Sequence, residues 1–173
     1  MEDSQSEYAK DTVVGLIELF QTNFGDVFKS YWEATPTSQP PDVDFPLVIV
    51  QKMSGKATLG PTSTDDDTET IVITVMLNMA DDIGSANVRT TTMRHLQNLI
   101  EGQDPSTNQY KTGTFFYILR TYLTLLQSSG NIWLIDSDIS VKYDQVPRKD
   151  MPAISIADIT MTTQRRVIVS NRQ

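Results

Sequence analysis

Four carboxylates within five residues, Asp65, Asp66, Asp67 and Glu69, form the densest acidic run in this 173-residue chain. A hard divalent cation binds several carboxylate oxygens at once, so the run has the chemistry to attract one. A cage must also fix its ligands in space, usually with a glycine that folds the loop, and the run contains none. It therefore reads as the solvated tip of a hairpin, Gly60–Asp67, with no metal ligand assigned. The segment Asp136-Ser137-Asp138-Ile139-Ser140 begins like a calcium loop. It then places Val141 where glycine is required and Pro147 where glutamate is required, which excludes that motif.

His95 is the single histidine, between Arg94 and Leu96 on an expected helix. A catalytic histidine needs an orienting partner and a nucleophile. With no cysteine and no Gly-x-Ser-x-Gly elbow, His95 reads as a surface residue, and no catalytic residue is assigned. Arg89 and Arg94 could meet a phosphate, but two arginines on a helix more simply serve as salt-bridge partners. Asp81 and Asp82 precede a helix start, where the helix dipole favours negative charge. Arg165, Arg166 and Arg172 make a basic end too small for a nucleic-acid patch. There is no phosphate-binding glycine loop and no dinucleotide fingerprint, so no cofactor is expected.

Net charge is −8 and unevenly spread: residues 1–70 hold 4 Lys+Arg against 13 Asp+Glu, and residues 71–173 hold 10 against 9. Such a chain is ill suited to gripping nucleic acid by phosphate neutralisation, though DNA could slide past it. The asymmetry gives identical copies unlike surfaces for head-to-tail association, while its simplest effect is solubility. The length suits one domain, 1–173. No apolar run is long enough to span a membrane. The start, Met1-Glu2-Asp3-Ser4, lacks the basic-then-apolar order of a signal peptide, and the absence of cysteine is compatible with the cytoplasm.

The elements that would position these residues follow from periodicity. Val13, Leu16, Ile17, Phe20, Phe24, Val27, Phe28 and Tyr31 share one face of a helix expected over Ser6–Trp32, with Gly15 and Gly25 as candidate bends. Pro36, Pro40 and Pro41 stiffen a connector over 34–44. The hairpin, 45–78, comprises Pro46–Met53, a possible extension Lys56–Leu59, and Thr70–Leu77. In its second strand Ile71, Ile73, Val75 and Leu77 alternate with Val72 and Met76, so both faces need cover. A helix would cover one face, and a partner sheet or a neighbouring subunit the other. This makes Ile71, Val72, Ile73, Val75 and Met76 the expected subunit interface. A helical segment over 85–128 follows, capped by Ser85 or Asn87 and split by a loop at Gly102–Lys111, with its second helix at Thr112–Ser128. The closing strands, 131–170, comprise one at Ile132–Tyr143, a polar loop at Gln145–Pro152, and one from Ala153 with a bulge near Ala157 and a break near Gln164. The fold class is α+β: a mainly antiparallel sheet with a long hairpin and helices packed on one face.

This order resembles the tail terminator (tail-completion) proteins of long-tailed bacteriophages, of the lambda and SPP1 type. The resemblance rests on Val13–Trp32, on Phe45-Pro46-Leu47-Val48-Ile49-Val50 with Glu69-Thr70-Ile71-Val72-Ile73-Thr74-Val75, and on Val88-Arg89-Thr90-Thr91-Thr92-Met93-Arg94. The strands Asn131–Ile139 and Ile154–Ile159 complete it, and Thr112–Ser128 is longer than the simplest members need. The resemblance implies a non-enzymatic virion protein, a hexameric ring on the tail tube that stops tube polymerisation and docks to the filled head. Its partners would be further copies of itself, the tail tube protein, a neck or head-completion protein, and viral DNA passing through the lumen without specific binding. The Asp65–Glu69 segment would face the lumen or the tube. The competing readings are a head–tail neck protein, a metal-dependent hydrolase or nuclease built on Asp65, Asp66, Asp67 and Asp82, and a monomeric adaptor.

Overall fold

The computed structural model describes residues 11–34, 40–60, 64–78, 88–122, 132–134 and 138–168. The elements run in the order α1 (Thr12–Phe24), β1 (Ser30–Trp32), β2 (Leu47–Leu59), β3 (Thr64–Asn78), α2 (Val88–Glu101), β4 (Gln103–Asp104), β5 (Gln109–Tyr110), α3 (Phe115–Thr121), β6 (Ile132–Leu134), β7 (Ser140–Arg148) and β8 (Met151–Ile168). Six strands form the main sheet in the order β1-β2-β3-β8-β6, with β7 also paired to β8. Every pairing in it is antiparallel except that of β1 with β2. The α+β class with a mainly antiparallel sheet is thus the fold of the chain.

Helix α1 starts where Asp11 accepts a hydrogen bond from the Val13 N–H, filling one of the donors a helix start leaves unpaired. It ends at Gly25, whose φ of 52° suits a residue without a Cβ. The apolar spacing thus marks the right face but overruns the helix: beyond Gly25 lies a 3-10 turn, Gly25–Val27, and then strand β1. Residues 1–10 lie outside the described part. Val13, Leu16, Phe20 and Phe24 of α1, Leu96 and Ile100 of α2, and Phe115, Ile118 and Leu119 of α3 enclose one core. Across from them lie Val48 and Val50 of β2, Ile71, Ile73 and Val75 of β3, and Ala157, Ile159 and Met161 of β8. All three helices therefore lie on the same face of the sheet. The Phe115 ring is the hinge of this packing, with ring centroids 5.0 Å from Phe20 and 4.4 Å from Phe24.

Several boundaries differ from those the sequence suggests. The segment Gly102–Lys111 is not an open loop but contains the small hairpin β4–β5. Helix α3 covers the middle of Thr112–Ser128, with Thr114 as its N-cap, and residues 123–130 lie outside the described part. The alternation over Ile132–Tyr143 belongs to two strands, β6 and β7, which pair with different stretches of β8. The polar Gln145–Pro152 is strand for most of its length. Chain reversal takes place at Lys149-Asp150, and Asp150 adopts φ 57°. β8 pairs with β3 without a register shift from Ile154 to Ile168, so there is neither a bulge at Ala157 nor a break at Gln164. The change of apolar phase has another cause. Ala157, Ile159 and Met161 face the helices, whereas Ile154 and Ile156 join Phe45, Leu47 and Ile49 in a small cluster on the opposite face.

Candidate functional site

The acidic run is part of β3, not a hairpin tip. Asp65, Asp66, Asp67 and Glu69 stand in a central strand between β2 and β8, opposite Leu59, Thr58, Ala57 and Gly55 on one side and Val167, Arg166, Arg165 and Thr163 on the other. Side chains alternate along a strand, so Asp65, Asp67 and Glu69 share the face of Ile71 while Asp66 points the other way. Adjacent carboxylates on opposite faces do not converge on one ion, and no group of three potential metal ligands occurs among the described residues.

Glu69 is 1 % exposed. Its Oε2 accepts a hydrogen bond from the Thr12 hydroxyl at the start of α1. Its Oε1 accepts one from Lys52 Nζ at 2.6 Å and lies 3.5 Å from Arg165 Nε. Arg165 Nε is also 3.6 Å from Asp67 Oδ2. A buried carboxylate thereby ties β2, β3, β8 and α1 together, with a cation on either side to offset its desolvation. Gly55 makes room for this: a Cβ there would stand 2.8 Å from Lys52 Cε. Over the outer sheet segment Lys52–Leu59, Thr64–Thr70 and Thr162–Ile168, Lys52, Lys56, Arg165 and Arg166 match Asp65, Asp66, Asp67 and Glu69 one for one. This arm of the sheet carries no net charge, and the −8 of the chain lies elsewhere.

The hydrophobic residues expected at an interface divide by face. Ile71, Ile73 and Val75 are wholly buried beneath the helices of their own chain, so they are core and not contact surface. Val72 and Met76 lie on the opposite face and are half-buried. There, with Ile49, Met53 and Ile156, they line a shallow groove of about 660 Å³ together with Thr74, Asp158, Thr160, Ser140 and Lys142. Thr74 donates its hydroxyl to Asp158 Oδ1 at 2.6 Å across the middle of this face. The arm itself reaches past the core. The buried residues of β2 end at Val50, and from Lys52 to Leu59 every residue is exposed, Met53 at 58 % and Leu59 at 70 %.

At the other end of the sheet Arg148, buried to 3 % exposure, acts as a clamp that local sequence signals do not mark. Its Nε donates to the Pro152 carbonyl at 2.7 Å, Nη1 to Asp42 at 2.5 Å and Nη2 to Asn78 at 3.1 Å. The guanidinium also lies 5.8 Å from the Phe45 ring centroid. His95 and Arg94 are exposed on α2. Asp81, Asp82, Asp136 and Arg172 lie outside the described residues.

Taken together, the elements define a two-layer α+β domain: helices over one sheet face, an open groove on the other, and a charge-balanced strand arm. The sequence matches no family model and no curated protein. Among the described residues no helix is long and apolar enough to cross a membrane.

Proposed function

We propose that the chain is a structural subunit of a long-tailed bacteriophage, one copy of a hexameric ring that caps the tail tube, ends its polymerisation and offers the surface to which the filled head docks. The observation that supports this best is the unequal cover of the sheet. Three helices bury one face, while the other presents the groove around Val72 and Met76 and continues into the exposed arm Lys52–Leu59. A closed ring of identical copies needs two unlike surfaces on each, and a groove with an arm at its side supplies them.

The arm contributes differently from an acidic tip. Being charge-balanced, it serves as a protein-contacting element, and repulsion of DNA falls to the negative charge carried by the rest of each copy. Polymerisation of tail tube protein with and without the chain tests the proposal. Tubes should stop lengthening when the chain is present in a small molar excess over tube ends. An unchanged length distribution at saturating chain would contradict it.

A further inference from the structure

We infer that the exposed outer edge of β2, Lys52–Leu59, pairs antiparallel with the outer edge of β7, Ser140–Val146, in a second copy of this chain, with Lys56 opposite Asp144. The inference rests on the subunit reading above and specifies how neighbouring copies join. Among the described residues β1 covers β2 only at Leu47–Ile49, and β7 pairs with β8 alone. Among the described residues the outer edges of β2 beyond Ile49 and of β7 are therefore open. An open edge presents unpaired N–H and C=O groups that a further strand can satisfy.

Three independent features select this pairing. The first is direction. β2, β3, β8 and β7 alternate in direction across the sheet. Four alternating strands repeat without a fault, so a neighbour whose strands run the same way brings its β7 antiparallel to β2. Lys56 is level with Gln164 and Asp144 with Ile156, so the neighbour stands about eight residues further along the strands, the stagger of a closed ring whose strands tilt to its axis. An odd number would have forced a parallel contact. The second is charge. β2 carries Lys52 and Lys56 and no carboxylate from Leu47 to Leu59, while exposed Asp144 is the one acidic residue between Ser140 and Val146. Lysines on an edge deter indiscriminate pairing, and an edge that offers a carboxylate at the right register is the one they admit.

The third feature is facial parity. Residues directly opposite in an antiparallel pair lie on the same face. Lys56 pairs with Thr68, and Thr68 with Gln164, while Asp144 pairs with Ile156, which places Lys56 and Asp144 both on the face away from the helices. The same register sets Thr58 against Lys142 on that face. On the helix face it sets exposed Leu59 and Ala57 of the arm against Val141 and Tyr143, which border the core of their own chain. Pro147, which lacks an N–H, ends the usable edge of β7 just beyond this stretch.

The chain has no cysteine, so introduced thiols report contacts without background. Thr58→Cys chains mixed with Lys142→Cys chains and oxidised at high protein concentration should give a Thr58–Lys142 linked dimer. Neither variant should link to itself, nor to a Thr22→Cys chain, whose thiol would sit exposed on α1. Absence of the mixed dimer, or equal yield with the α1 control, overturns the inference. Separately, Lys56→Glu should weaken self-association about 5-fold, and the double variant Lys56→Glu, Asp144→Lys should restore it. A double variant no better than the single one also overturns it. Cross-linking without any effect on tail tubes would leave the edge pairing standing and defeat the tail reading, whereas tube-capping rings lacking the cross-link would do the reverse.

Discussion

Glu69 occupies a position where a carboxylate survives burial because two donors, the Thr12 hydroxyl and the Lys52 ammonium, reach it and the Arg165 guanidinium lies 3.5 Å away as a counter-charge. Glu69→Ala removes the acceptor and leaves Lys52 and Arg165 facing an apolar gap. The partial exposure of Lys52 moderates the penalty, so urea unfolding should show a loss of about 2 kcal/mol. Asp66→Ala, on the opposite face, should cost less than about 1 kcal/mol in the same measurement. A sequence signal for Glu69 did exist: it shares the parity of Ile71, Ile73 and Val75, so it had to point where they point. Its partners had no such signal, since Thr12 and Arg165 are brought beside it only by the fold. Tyr143 offers a test by pH. Burial, and then its hydrogen bond to Glu101, push its phenol well above the ordinary tyrosine value, and burial raises Tyr31 as well. The unfolded chain releases these protons from about pH 10 upward while the folded chain retains them, so stability is full below that pH and falls as pH rises above it. Phenolate absorbance should show a late-titrating phase, and Tyr143→Phe should reduce it.

Among the elements, the long strands show where local pattern and tertiary context part. β3 was legible over Thr70–Leu77, where alternation makes both faces plain. Its first half was not, because aspartate is a poor strand former and four acidic residues resemble a solvated turn. Cations on the two flanking strands reverse that preference, and one of those strands lies about a hundred residues away in sequence. Prolines misled in the same way at Gln145–Pro152: Pro147 sits at the register shift of an edge strand, where its missing N–H costs little. The apolar face of α1 was readable to the residue, but its end was not, since Phe28 and Tyr31 continue the helical spacing into a strand. Arg148 fixes the β7–β8 hairpin to Asp42 and Asn78. Arg148→Ala should lower stability by about 3 kcal/mol by thermal or urea unfolding, and Arg148→Lys should not rescue it, because an ammonium cannot reproduce a planar fork of donors. Phe115→Ala, which empties the contact between α3 and α1, should cost about 3–5 kcal/mol.

For the molecule as a whole, function follows from which surfaces the fold spends internally and which it leaves for others. The helices consume one sheet face, so Ile71, Ile73 and Val75 are spoken for. What remains among the described residues is the groove around Val72 and Met76, the open edges of β2 and β7, and a charge-balanced arm. On the proposed reading these are the surfaces that meet protein, and their unlikeness suits a closed ring of copies. The acidic run that first suggested a cation site becomes one strand of a charge-balanced ribbon, and the negative charge that would keep DNA moving lies outside it. The most direct test is electron microscopy of the chain mixed with the tail tube protein. The account predicts six-fold rings seated on the ends of tubes and bare tubes when the chain is omitted. Tube ends that stay bare with the chain in excess, or a chain bound along tube walls instead of at their ends, would contradict it.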